Sequence, residues 1–101
     1  MASRLDLQTQ LEELLGSRNV YYQPPESIKL KYPCIIYHLS RIRTDDANNK
    51  KYLKHRLYQL TLIDEDPDSD LVDKVLELPM CSFDRSFSSD GLNHFVFNIY
   101  Y

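Results

Sequence analysis

The sequence predicts an α+β fold: a mainly antiparallel sheet in the element order α-β-β-β-α-β-β, packed against two helices and carrying a long protruding β-hairpin. Three observations predict it. Leu7, Leu11, Leu14 and Leu15 form one stripe of a 3.6-residue period. Segments 34–43, 54–64, 81–87 and 94–101 alternate in polarity and are rich in Ile, Leu, Tyr, Phe and Thr, as half-buried strands are. A second apolar stripe, Leu71, Val72, Val75, Leu76 and Leu78, follows a run of acids.

Each element has local signals. Ser3 stands where the first helix needs a cap, Asp6 occupies the capping-box position three residues on, and Gly16 sits where a left-handed C-terminal residue is wanted. Residues 19–22 read as a short strand. Pro24-Pro25 and polar residues 26–31 then form a loop that ends at Pro33. Strands 34–43 and 54–64 pair through a polar tip, 44–51, with Asp45, Asp46, Asn48 and Asn49. In the second strand Tyr58, Leu60 and Leu62 point one way and Leu57, Gln59 and Thr61 the other. Acids crowd the start of the second helix, where its dipole favours them, and Pro79 stops it. Ser89-Asp90-Gly91 turns the chain between the last two strands.

One domain, 1–101, accounts for the whole chain. A hundred residues suffice for one core, and no linker, repeat or low-complexity segment divides them. With 43% hydrophobic residues and a net charge of -3, the chain is neither disordered nor fibrous. The N-terminus lacks the apolar core of a signal peptide, and two cysteines make no disulfide framework, which predicts an intracellular protein with reduced thiols. The longest apolar run, Cys34-Ile35-Ile36-Tyr37, is far short of a membrane span, so no membrane is expected as a partner.

Catalytic readings find little support, and no cofactor, metal or catalytic residue is expected. Asp64, Asp66, Asp68 and Asp70 alternate like the opening of an EF-hand, but Ser69 and Val75 stand where the loop needs Gly and a bidentate Glu. A solvated acidic helix start is the better account. Cys34 and His38 share a strand face, yet four strand residues hold their Cα atoms roughly 13 Å apart. Both cysteines are expected to pack as small hydrophobes. The only glycines are Gly16 and Gly91, so no phosphate-binding loop exists.

Charge is unevenly spread. Residues 41–56 hold Arg41, Arg43, Lys50, Lys51, Lys54 and Arg56 against Asp45 and Asp46, a local +4 that leaves the remainder at -7. Such an arm, with Tyr52 available to stack a base, could touch nucleic acid. A net negative domain is otherwise repelled by phosphate, which favours an acidic protein neighbour. The last strand is apolar on both faces, Phe95, Phe97, Ile99 and Tyr101 on one, Val96 and Tyr100 on the other. Tyr100, Tyr21, Tyr22 and Tyr32 are accordingly candidates for a partner surface, and helices covering both faces are the competing explanation for Tyr100.

The phrases Val20-Tyr21-Tyr22-Gln23-Pro24-Pro25, Lys31-Tyr32-Pro33-Cys34-Ile35-Ile36-Tyr37, Asp64-Glu65-Asp66-Pro67-Asp68-Ser69 and Leu78-Pro79, with the long hairpin between them, resemble small neck proteins of tailed bacteriophages. The tail-terminator family, also called tail-completion or head-tail joining proteins, is the most similar. The resemblance extends over nearly the whole chain and rests on size, element order and these phrases. It implies a virion structural protein without catalytic residues that forms a ring, commonly a homo-hexamer, on the tail tube, then docks to the head connector. Its implied partners are other copies of itself, the tail tube protein, the connector or stopper protein, and DNA passing through the lumen without sequence-specific binding. Its implied place is the virion neck, after assembly in the host cytoplasm.

Inter-subunit or tube contacts would fall on the hairpin, at Arg41, Arg43, Lys50, Lys51, Tyr52, Lys54 and Arg56. Rings close through heterologous contacts, for which Asp64, Asp66, Asp68 and Asp70 supply a complementary acidic surface. A head-closure or stopper role, and a small nucleic-acid-binding module using hairpin 41–56, are the alternatives.

Overall fold

The computed structural model describes residues 4–47 and 51–101, with backbone alone for 43–47 and 51–55. The elements follow in the predicted order: α1 (Arg4–Leu15), β1 (Val20–Tyr22), β2 (Cys34–Ala47), β3 (Lys51–Asp64), α2 (Leu71–Leu76), β4 (Cys81–Ser89) and β5 (Leu92–Tyr100). The strands form one five-stranded sheet in the order β1-β2-β3-β5-β4, antiparallel except where β1 runs parallel to β2. A parallel neighbour needs a crossover. Residues 23–33 provide it without a helix, which explains the long Pro-rich loop; the Tyr32–Pro33 peptide within it is cis.

The ends of α1 obey local rules. Gly16 adopts φ +78° and donates its N–H to the Glu12 carbonyl at 2.9 Å, a left-handed stop. Ser3, expected to cap the helix, lies outside the described residues. The second helix ends at Leu76, two residues short of Leu78, because a proline disfavours helical backbone just before it. Glu77 and Leu78 close the last turn on the carbonyls of Asp73 and Val75, both at 3.1 Å. Asp70 occupies the N-cap without a side-chain cap bond; Ser69, buried, accepts the Leu71 N–H on its hydroxyl at 3.3 Å.

β2 and β3 are longer than expected. Their pairing runs out to Ala47↔Lys51, so Thr44, Asp45, Asp46 and Ala47, which read as loop, are ladder. Polar composition argues for a loop, but ladder bonds need only backbone groups. Of the expected tip, 48–50 lies outside the described residues, so the hairpin's protrusion stands as an expectation. β4 and β5 likewise extend to Ser89 and Leu92, leaving a two-residue turn at Asp90 (φ 53°) and Gly91 (φ 76°), the positive-φ pair that a tight hairpin requires.

The core lies on one face of the sheet. Ile35, Tyr37, Tyr58, Leu60, Leu62, Phe97 and Ile99 meet Leu7 and Leu11 of α1 and Leu71 and Val75 of α2. Both helices therefore pack on the same face, so they do not account for Tyr100 on the other. Tyr22 also belongs to the core: its ring centroid is 4.9 Å from Tyr37 and 6.4 Å from Tyr58, and the Arg4 guanidinium lies 4.3 Å above it. That corrects its place among the partner-surface candidates. Tyr37 donates its hydroxyl hydrogen to Gln8 Oε1 and accepts from Arg4 at 3.2 Å, tying α1 to the sheet through a buried ring.

Among the described residues, no helix covers the second face. Registers place Tyr21, Ile36, Thr61, Val96 and Arg85 in one row across all five strands. Cys34, Leu57, Ile63 and Val96 are buried there, whereas Tyr21, Ile36 and Tyr100 are only partly covered.

Candidate functional site

The sequence-predicted basic and acidic surfaces lie at opposite ends of β3. Lys54 and Asp64 are ten residues apart on that strand, about 33 Å at the usual rise. They cannot meet within one chain. At the basic end, Arg41 and Arg56 are exposed, and the backbone register sets Ile42 opposite Arg56, Arg43 opposite His55, Thr44 opposite Lys54, Asp46 opposite Tyr52 and Ala47 opposite Lys51. Pairing therefore brings Arg41, Arg43, Lys51, Tyr52, Lys54 and Arg56 onto one two-stranded arm by position, while Lys50 falls outside the described residues.

The arm also has an unpaired margin. β5 accompanies β3 only from Asp64 to Leu57, with one further bond from the Tyr101 N–H to the Arg56 carbonyl at 3.0 Å. Residues 51–55 have β2 on one side and, among the described residues, no strand on the other.

At the acidic end, part of the negative charge is structural. Asp64 accepts the Asp66 N–H at 3.1 Å and Asp66 the Asp68 N–H at 2.9 Å, two successive side-chain turns that shape the loop. Asn93 donates to the carbonyls of Asp64 and Glu65 at 3.3 and 3.2 Å, clamping the loop to β5. Asp66, Asp68 and Asp70 are exposed. Among the described residues no group of three or more His, Cys, Asp or Glu side chains is placed to hold a metal ion.

The two thiols are poor nucleophiles. Burial pushes Cys34 and Cys81 each up to about 11, so the thiolate is scarce at neutral pH. His38, on the Cys34 face, is exposed. His94 stacks on Phe87 with centroids 4.7 Å apart and an 11° tilt, and its buried Nδ1 has no hydrogen-bond partner.

Two surface cavities flank the sheet. One, of about 440 Å³, lies between the 23–33 loop and β2 and is lined mainly by Pro24, Pro25, Ile28, Leu30, Ile36 and His38. The other, of about 310 Å³, joins Pro67 of the acidic loop to Ser86, Phe87 and Ser88 of β4 and Asn93 and Phe95 of β5.

Sequence reasoning placed β4 but missed its exposed surface. Every residue after Cys81 in this strand is exposed, including Phe83 and Phe87 at 46% and 47%. Their spacing of four residues would put both rings on one strand face. A bulge intervenes: Phe83 lies opposite Phe97 but Arg85 opposite Val96, so Asp84 is the extra residue and Phe87 turns to the second face, opposite His94. Met80 (70% exposed) and Leu76 add apolar surface just upstream. Two phenylalanines among serines in a nine-residue strand with one acid and one base was the available signal.

No helix among the described residues is long and apolar enough to cross a membrane. Comparison with protein-family models gave no match, and comparison with characterised proteins gave none either.

Proposed function

We propose that the chain is a structural protein of a tailed-phage neck, closing into a ring that caps the tail tube and joins the tail to the head connector. The observation that carries this reading is the separation of charge along β3. A basic arm and an acidic loop about 33 Å apart on one rigid strand cannot satisfy each other internally, but they suit a head-to-tail contact between copies, the contact that generates rings. The resemblance of the Val20–Pro25 and Lys31–Tyr37 phrases to tail terminators supplies the setting, with a hexamer the commonest form. DNA crosses the lumen in this reading without base-specific contact, and the sites are assembly surfaces rather than catalytic ones.

Electron microscopy of particles made by a phage with an early stop codon in this gene tests the proposal. Overlong or unjoined tails beside filled heads are expected. Normal tails with leaking or empty heads would move the protein to the head-closure or stopper role, and intact infectious particles would overturn both. Charge reversal of Lys50 and Lys51 together is expected to weaken assembly, with partial recovery when Asp66 and Asp68 are reversed. Unchanged assembly at low salt would discard that pairing.

A further inference from the structure

The sheet has two edges, and one is closed from within. β1 is three residues long, and its bonds to β2 run through the flanking Asn19 carbonyl and Gln23 N–H, which turns the Val20 carbonyl away from β2. Gln8 of α1 caps that carbonyl at 3.0 Å. β4 is nine residues long; the Leu78 carbonyl takes the Cys81 N–H at its start at 3.3 Å, and from Ser82 to Ser89 no strand pairs with its outer backbone among the described residues. The two-residue turn makes Ser89 and Leu92 the closing hydrogen-bonded pair. Phe87 and Arg85 therefore turn their backbone groups toward β5, while Ser88 and Ser86 turn theirs outward. Exposed edges of this length are normally blunted by Lys, Pro or cover. Here the bulge, with the adjacent charged pair Asp84 and Arg85, is confined to the middle of the strand, and it sends Phe83 to the helix face and Phe87 to the other, so a strand laid along β4 covers a flank of each ring.

We propose that the outer edge of β4 accepts an extended strand from a second copy of this chain, namely residues 51–55 of its β3. Charge selects this occupant. The Ser86–Ser88 end of β4 shares a cavity with Pro67 of the acidic loop, flanked by Asp66 and Asp68. The added strand must therefore be extended, cationic and free on one side. In this chain Lys51-Tyr52-Leu53-Lys54-His55 is extended, carries two lysines and, among the described residues, has no strand on its outer margin. Docked there, its lysines come within reach of the acids that their own chain holds about 33 Å or more away. Each copy donates the arm and receives on β4, so the contact is heterologous and propagates. The identity of the occupant rests on the ring reading given above.

The test uses the full chain in a Cys81→Ser background, with Cys34 left buried. Ser88→Cys combined with Lys51→Cys, treated with a short bis-maleimide at high protein concentration and low salt, is expected to give a covalent ladder that ends at a closed ring. Adding Ser86→Pro, at the neighbouring outward position, removes an outward N–H without touching a bond to β5 and is expected to cut the ladder at least tenfold. Circular dichroism and the melting temperature of that variant establish that it folds. Phe87→Ser, which leaves the backbone free, is expected to reduce the ladder with folding intact and guards against a proline that misfolds.

Monomers and dimers alone, or a ladder unchanged by both Ser86→Pro and Phe87→Ser, would overturn the proposal. Efficient dimers from Ser88→Cys alone would show β4 pairing with β4 and also overturn it. The neck reading fails separately: a ladder from a protein whose stop-codon phage is intact keeps the strand contact and discards the neck, whereas unjoined tails without a ladder do the reverse.

Discussion

The β1 and β4 edges of one sheet are built on different plans. At β1 the chain commits Gln8, Arg4 and three tyrosine rings to closing a three-residue strand; at β4 a nine-residue strand has exposed residues along nearly its whole length and two half-exposed phenylalanines. Both edges have the same backbone chemistry, so the difference lies in what the side chains of other elements were given to do. α1 reaches over β1, and its Gln10 also donates to the Tyr101 hydroxyl at 2.8 Å. The short second helix packs against β4, and the Leu78 carbonyl just past it holds only the Cys81 N–H at the start of the strand. A closed edge marks where the fold ends, and an open one marks where it can continue into another molecule.

The contrast can be broken at several points. Phe97, fully buried beneath the exposed Phe83 ring, should cost about 3–5 kcal/mol on change to alanine, measured by denaturant unfolding. Phe87→Ala, at the open edge, should cost no more than about 1 kcal/mol in the same assay; equal losses would mean that the edge is core.

Alkaline pH tests the buried thiol. The folded chain holds the Cys34 proton up to about 11 whereas an unfolded thiol releases it near 9.0, so the unfolded state binds fewer protons between these values. Stability should be flat below pH 9 and fall by up to about 1.4 kcal/mol per pH unit above it. Cys81 has the same shift and adds its own slope, so Cys34→Ala should remove about half of that limb, and an identical slope would remove the Cys34 thiol as a source.

Gln8→Ala leaves the Val20 carbonyl and the Tyr37 hydroxyl short of a partner and should cost about 1–2 kcal/mol, read as a lowered melting temperature. Gly91→Ala, at φ 76° with open space around it, should cost about 1 kcal/mol through backbone strain alone. That loss loosens the hairpin that holds β4.

Much of the fold was legible because periodicity reports burial. The leucine stripe of α1, the alternation in β3 and β5, and the stops at Gly16 and Pro79 all came from residues whose own chemistry dictates local structure. The parallel pairing of β1 was not legible, since three residues carry no period and their partner is chosen by the crossover loop. Nor was the shared location of both helices: Val96 and Leu57 are apolar enough to suggest cover on the second face, and neighbouring side chains within the sheet bury them without it. Of the assembly surfaces, the charges were legible as composition, but their separation by the length of β3 needed the sheet. The open edge was hidden because a single bulge at Asp84 breaks the twofold period on which face assignments rest.

The long β3 strand also has a mechanical consequence. It runs unbroken from the arm to the acidic loop, bonded to β2 along one side and to β5 along half of the other, with the ladder bonds lying across its axis. A pull between neighbours that grip its two ends loads those bonds together, in shear. A pull that peels β4 away from β5 loads its bonds one after another. A chain of such subunits would transmit tension along β3 with little yielding and would give way first by unzipping at its rim.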